Sequence, residues 1–182
     1  MRKSLVTMIA AMLFGVSTAN ATVYKFTFES FDAELTATGQ MTVNTAGEVT
    51  GVSGVISGLA NQTISAVAAN PGFPGSAYSP DGSFIYDNLY NASGMTFDVN
   101  GLLFVTAQNP GGYWNLWGNS PGNYSLWESA GAYNYPIEES GSLTVAAAPE
   151  LSTWAMLALG LASLGLVGRH RQREPRLAPG VA

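Results

Sequence analysis

The chain has no cysteine and a single histidine among its 182 residues, and charged side chains make up only 10% of it. Without cysteine there are no disulfides and no thiolate chemistry, so the fold must stand on packing alone. The one histidine, His170, lies in a basic cluster near the C-terminus, far from the body of the sequence. Serines are plentiful, but with neither His nor Cys in the body of the chain a Ser-based triad lacks its base. A zinc site lacks its usual ligands for the same reason. Positive charge is almost missing from residues 22–148. Lys25 is the only base there, set against Glu29, Asp32, Glu34, Glu48, Asp81, Asp87, Asp98, Glu128, Glu138 and Glu139. One base against ten acids leaves this stretch near −9, where the whole chain carries −5. Binding to nucleic acid or to an anionic bilayer by charge is thereby disfavoured.

Two long apolar runs are present, one at each end. Met1-Arg2-Lys3, an apolar core from Leu5 to Val16, and Ala19-Asn20-Ala21 have the order of a secretory signal. Small residues at Ala19 and Ala21 suit signal peptidase, so 1–21 is expected to be a signal peptide, with cleavage after Ala21. The second run, Leu151 to Gly168, carries no charge. As a helix it would span about 27 Å, near the lower limit for a bilayer. Trp154 lies near its outer end, and Arg169, Arg171 and Arg173 follow as a stop-transfer cluster. One transmembrane helix over 151–168 is therefore expected, with 174–182 as a short cytoplasmic tail. The helix would hold the chain in the membrane before processing.

Pro149-Glu150 before this run, then Ser152-Thr153-Trp154-Ala155-Met156-Leu157, a Gly/Ala/Leu stretch and the arginine cluster resemble the PEP-CTERM sorting signal. The resemblance covers Pro149 to Arg173. Leu151 stands where the family has a second proline. Membership implies export through the inner membrane of an exopolysaccharide-producing bacterium and transient anchoring. It further implies cleavage near Pro149, Glu150 and Leu151 by a membrane-embedded exosortase, with the cell surface or extracellular matrix as destination. Independently of the family, Pro149 would leave an extended segment for such an enzyme to grip.

Between the ends, residues 22–148 read as β. Tyr24, Phe26 and Phe28 alternate with Lys25, Thr27 and Glu29, and Leu35 to Val43 continues the pattern. Val/Ile-rich stretches follow at 48–59 and 64–68, then a Pro/Gly/Ser/Asn loop over 70–83 whose length suggests function. Strands are expected at 84–90, at 95–99 and 102–106 around an Asn100-Gly101 hairpin turn, and at 142–145. Trp114-Asn-Leu-Trp117 is echoed by Tyr124-Ser-Leu-Trp127 across a Gly/Asn/Pro turn. Short strands with turns between them predict an all-β, β-sandwich or jelly-roll-like exported domain.

Rings concentrate in the second half of this domain, among Asn, Ser and Gly. Most would fill the core. Alternation with Leu116 and Leu126, however, turns Tyr113, Trp117 and Trp127 outward, and amphipathic rings beside amides and hydroxyls suit the C–H faces of sugars. These three form a candidate carbohydrate face, with exopolysaccharide as the partner. Asp81, Asp87 and Asp98 offer hard oxygen donors on loops for calcium, although Asx side chains capping their own turns explain them better. No other cofactor is implied. Two further classes stay open: a carboxylate-dependent glycan-processing enzyme, and a structural or adhesion subunit self-associating through sheet edges.

Overall fold

A computed structural model describes residues 21–129, 136–148, 157 and 159–162. Two compact units are present, with the boundary between Ala147 and Ala148. Among its described residues the first holds ten strands: β1 (Thr22–Ser30), β2 (Leu35–Val43), β3 (Val49–Gly58), β4 (Gln62–Val67), β5 (Ala77–Tyr78), β6 (Ile85–Tyr86), β7 (Leu102–Thr106), β8 (Trp114–Ser120), β9 (Asn123–Glu128) and β10 (Glu138–Ala147).

Eight of them close into an antiparallel barrel in the order β1-β10-β9-β8-β7-β4-β3-β2. This corrects the sandwich or jelly-roll expectation. Both architectures need the same in/out alternation. What separates them is that β1 pairs with β2 on one side and β10 on the other, Tyr24 facing Ala147 and Phe28 facing Leu143. Each barrel strand follows its sequence neighbour, so the fold is a meander, interrupted once by the β4–β7 connection that carries β5 and β6. Small residues let the strands close tightly. Gly141 pairs with Ser30, and a Cβ there would strike the Phe28 ring and the Glu29 carbonyl.

The interior is filled by side chains, as expected for eight strands. Phe28, Phe104, Trp114, Leu102, Leu116 and Leu126 are all fully buried in one core. Outward positions are mostly polar: Lys25, Thr27, Thr38, Gln40, Ser53, Thr63 and Ser65 face solvent. Apolar inside and polar outside is the reverse of a membrane barrel.

The β4–β7 insertion performs two tasks. Its later part closes one barrel mouth: Phe97, 1% exposed, enters the main core with Tyr90 and Met95 against it. Thr96 N donates to Tyr124 Oη at 3.0 Å, and Gly118 N donates to the Asp98 carbonyl at 2.8 Å. The expected strands at 84–90 and 95–99 are thus reduced to Ile85–Tyr86, and the Asn100-Gly101 hairpin does not form. Asp98 Oδ1 accepts from Asn100 N at 2.8 Å and Gly101 N at 3.3 Å, which turns the chain before β7 begins. Gly101 holds φ 76° against β8, a conformation that favours glycine.

In the second unit the described residues are Ala148 and the helical Leu157 and 159–162. The expected transmembrane helix over 151–168 is not sustained. Among the described residues no helix is long and apolar enough to cross a membrane. A run of eighteen sits at the bottom of the spanning range. Pro149, Glu150, Leu151, Arg169, Arg171, Arg173 and Ala19 lie outside the described residues; Ala21 is exposed just before β1.

Candidate aromatic site on the outer barrel wall

The earlier part of the insertion folds back over the outside of β7, β8 and β9. Its two-stranded β5–β6 hairpin pairs Ala77 with Tyr86 and Tyr78 with Ile85. Phe84 and Tyr86 bury against Leu103, with Tyr113, Trp117 and Trp127 partly buried around them. This is a second apolar cluster, built on the outer face of strands whose inner face belongs to the main core. Phe84 meets Trp127 edge-on at 5.5 Å and Trp117 at 6.5 Å, while the two tryptophans lie 6.1 Å apart.

The structure brings together all three members of the expected carbohydrate face. Trp114, Leu116, Tyr124 and Leu126 point inward, and Tyr113, Trp117 and Trp127 point outward and pack against the hairpin. Their rings are half-covered, and the covering residue, Phe84, was missed by the sequence reading. So was Asn115, which stands directly opposite Trp127 across β8 and β9. A cavity of about 350 Å³ opens between hairpin and barrel wall, lined by Phe84, Ile85, Val99, Asn115, Trp117 and Trp127 among others. Two of these leave polar atoms without a partner. Asn115 Nδ2 donates to the Asn100 carbonyl at 2.9 Å, but its Oδ1 accepts nothing, and Trp127 Nε1 donates to nothing. Beside the cavity a polar strip runs from Trp117 Nε1 to Asn119 Oδ1 at 3.1 Å, and from Asn119 Nδ2 to Ser125 Oγ at 2.9 Å.

The calcium candidates are dispersed. Asp81 sits at the hairpin tip, where Ser79 Oγ, Ser83 N and Ser129 Oγ donate to it. Burial pushes its carboxyl up, but those hydrogen bonds outweigh it and hold the group below the usual aspartate value. Asp87 Oδ1 caps Leu89 N, and its Oδ2 accepts from Asn100 Nδ2 at 3.3 Å. Burial raises Asp87 above the usual value, and the nearby charge of Asp98 adds to that. Each of the three carboxylates caps a backbone turn. Among the described residues no group of three or more His, Cys, Asp or Glu side chains is placed to hold a metal.

Among the described carboxylates the most deeply buried is that of Glu128. Glu128 lies inside the opposite mouth of the barrel, where Gln62 Nε2 and Asn109 Nδ2 donate to its Oε1 at 3.0 and 3.1 Å. Gln62 Oε1 in turn accepts from Trp114 Nε1 and Thr106 Oγ1. Glu138 and Glu139 face opposite sides of β10, opposite Trp127 and Leu126 respectively.

No family model matches the chain, and no curated protein or solved structure matches it either.

Proposed function

We propose that this is an exported protein of the cell envelope or extracellular matrix whose barrel binds exopolysaccharide through the outer aromatic site. The single observation behind this is the Trp117–Trp127 pair lining an open cavity on the outer wall. Rings at this spacing offer two stacking surfaces, and the neighbouring Asn119, Ser125 and Ser140 supply hydroxyl and amide groups for the sugar edge. A core aromatic cluster needs no such opening. A cavity of this size lies at the lower end of the range for small-ligand sites, suited to one or two sugar units.

Export and processing belong to the same proposal. The N-terminal segment acts as a signal for signal peptidase, and Pro149-Glu150-Leu151 with the arginine cluster acts as a sorting signal read by an exosortase-type enzyme. Replacing Pro149 and Glu150 by Ala is expected to keep the C-terminal segment on the protein and the protein on the cell. Normal release of that variant would sink the sorting reading.

The binding reading is tested by co-sedimentation of the full-length chain with the producing cell's exopolysaccharide, with and without calcium. Wild type is expected to sediment, and Trp117→Ala and Trp127→Ala to stay in solution. Equal sedimentation of all three would refute a role for the ring pair. The enzymatic reading gains less support, since Asp87 and Asp98 are both occupied as turn caps. Self-association through sheet edges also gains less, because closure pairs every barrel strand on both sides.

A further inference from the structure

Another cavity, of about 340 Å³, opens between the start of β3 and the residues that follow β4. It shares no lining residue with the aromatic site. Its walls are largely apolar, formed by Val49, Val67, Ala68, Ala69 and Pro71. A bulge shapes one side. The β2–β3 register passes from Thr42 opposite Gly51 to Val43 opposite Val49, so Thr50, which lines the cavity, has no partner on β2. Among the described residues of the lining, Glu48 is the only charged one.

The polar side chains of this lining spend their donors inside the protein. Asn70 Nδ2 donates to the Gly75 and Asp87 carbonyls at 2.7 and 3.0 Å. Asn88 is buried, with its Nδ2 on the Ala68 carbonyl at 2.7 Å. Thr50 Oγ1 donates to the Thr42 carbonyl at 3.4 Å. What is left for a ligand is acceptor capacity, on the Thr50 hydroxyl and above all on the Glu48 carboxylate. That carboxylate is positioned from the β2–β3 turn. Asn44 Nδ2 donates to Glu48 Oε2 at 2.9 Å, and Asn44 Oδ1 accepts from Glu48 N at 3.0 Å, which leaves Oε1 for a ligand. The fold brings no cation to it: Lys25, the only base over 22–148, stands on β1 opposite Gln40 and Ala146. An anion would meet like charge here and no side-chain donor. Calcium would find one carboxylate where it takes about six to eight oxygens. A primary ammonium on a short aliphatic chain matches both halves of the site. Its N–H groups are donors only and meet Glu48 and Thr50, while its methylenes lie against Val67, Ala69 and Pro71.

We infer that this cavity is a binding site for a primary ammonium group on a short aliphatic chain, held by Glu48. A free alkylamine and the side chain of a lysine in another protein share this chemistry. The inference does not rest on the saccharide reading above.

The test is a ligand-observed NMR titration of the full-length chain with n-butylammonium, n-butanol and N-acetyl-lysine methylamide. The ammonium is expected to bind roughly tenfold more tightly than the alcohol, the effect of a charge-assisted bond in place of a neutral one. Glu48→Gln keeps the length of the side chain and an oxygen for Asn44 Nδ2 but removes the charge. It is expected to bring the ammonium down to the level of the alcohol. Ala69→Trp, at an exposed residue of the lining, fills the cavity and is expected to abolish binding of both. Urea midpoints equal to that of wild type show that the two variants are folded. Binding of the lysine derivative as tight as that of butylammonium assigns the site to a lysine side chain. Binding of butylammonium alone assigns it to a free amine, and the ammonium inference holds in either case. Equal affinity for ammonium and alcohol, binding of neither, or unchanged ammonium binding in Glu48→Gln or Ala69→Trp would overturn it.

Discussion

Trp114 and Trp127 stand on adjacent strands of one barrel and face opposite ways. Trp114 is fully buried, packed among Phe28, Phe104 and Leu116, and its indole N–H is bonded to Gln62. Trp127 is half-buried under a two-stranded hairpin, beside a cavity, with its indole N–H bonded to nothing. The inner ring has every requirement of a core residue met. The outer ring has its apolar requirement half met and its polar requirement unmet. That difference separates a ring that holds the barrel together from one whose requirements the fold leaves partly unmet, and residue type alone does not reveal it.

The largest expected effect sharpens the contrast at its inner end. Trp114→Ala should cost about 3–5 kcal/mol, since it empties the core and strips a buried bond from Gln62. Trp127→Ala should cost about half of that or less, because its ring is half-exposed already. Urea unfolding of the two variants measures both, and equal losses would erase the distinction between the two faces. Next comes Glu128→Ala, which leaves Gln62 Nε2 without its acceptor inside the barrel. A loss of about 1–3 kcal/mol is expected. No loss would mean that the buried network contributes nothing to closing that mouth. Phe84→Ala should cost about 1.5–3 kcal/mol, the scale of a buried ring lost from a small cluster. It should also redden and quench tryptophan emission by wetting Trp117 and Trp127. Unchanged emission would show that Phe84 does not shield them.

Local pattern made much of this barrel legible. The alternation at Tyr24, Phe26 and Phe28 and the full extent of β2 could be read directly, because a strand with one face in a core must repeat every two residues. The Trp114–Trp117 and Tyr124–Trp127 echo likewise gave two paired strands with the correct faces inward. Closure could not be read that way. It depends on Tyr24 meeting Ala147, a pairing across nearly the whole domain that no window of sequence reports. The Asn100-Gly101 turn misled because Asp98 Oδ1 competes for the two amides that a hairpin would have used elsewhere. At the site, alternation identified Trp117 and Trp127 as outward. It could not foresee that a proline- and glycine-rich loop would fold back and lay Phe84 across them. The Phe84-Ile85-Tyr86 triplet, expected as part of a strand directly after so polar a loop, was the available signal, since rings beside a loop need somewhere to pack.

The smallest effect tests how the outer face is kept covered. Asp81 accepts three side-chain and backbone bonds at the hairpin tip, and they hold its carboxyl below the usual aspartate value of 3.8. A group lowered on folding contributes stability that is present above its unfolded value and lost as the pH falls through its folded one. Acidification through and below that usual value should therefore loosen the tip before it harms the barrel. Asp87 carries the opposite sign: its value is raised on folding, so it favours the fold most under acid and less as the pH rises through its folded value. The two can be told apart by following tryptophan emission, which reports the tip, alongside the global unfolding midpoint, which reports the barrel. Wild type should show an acid-induced red shift that Asp81→Ala, without the carboxylate, lacks. The accompanying difference in stability should stay below about 0.5 kcal/mol, since the carboxylate is exposed and solvent screens its bonds. If both proteins shift alike, the tip is held by Phe84 packing, and the Asp81–Ser129 bond is not what keeps the outer site closed.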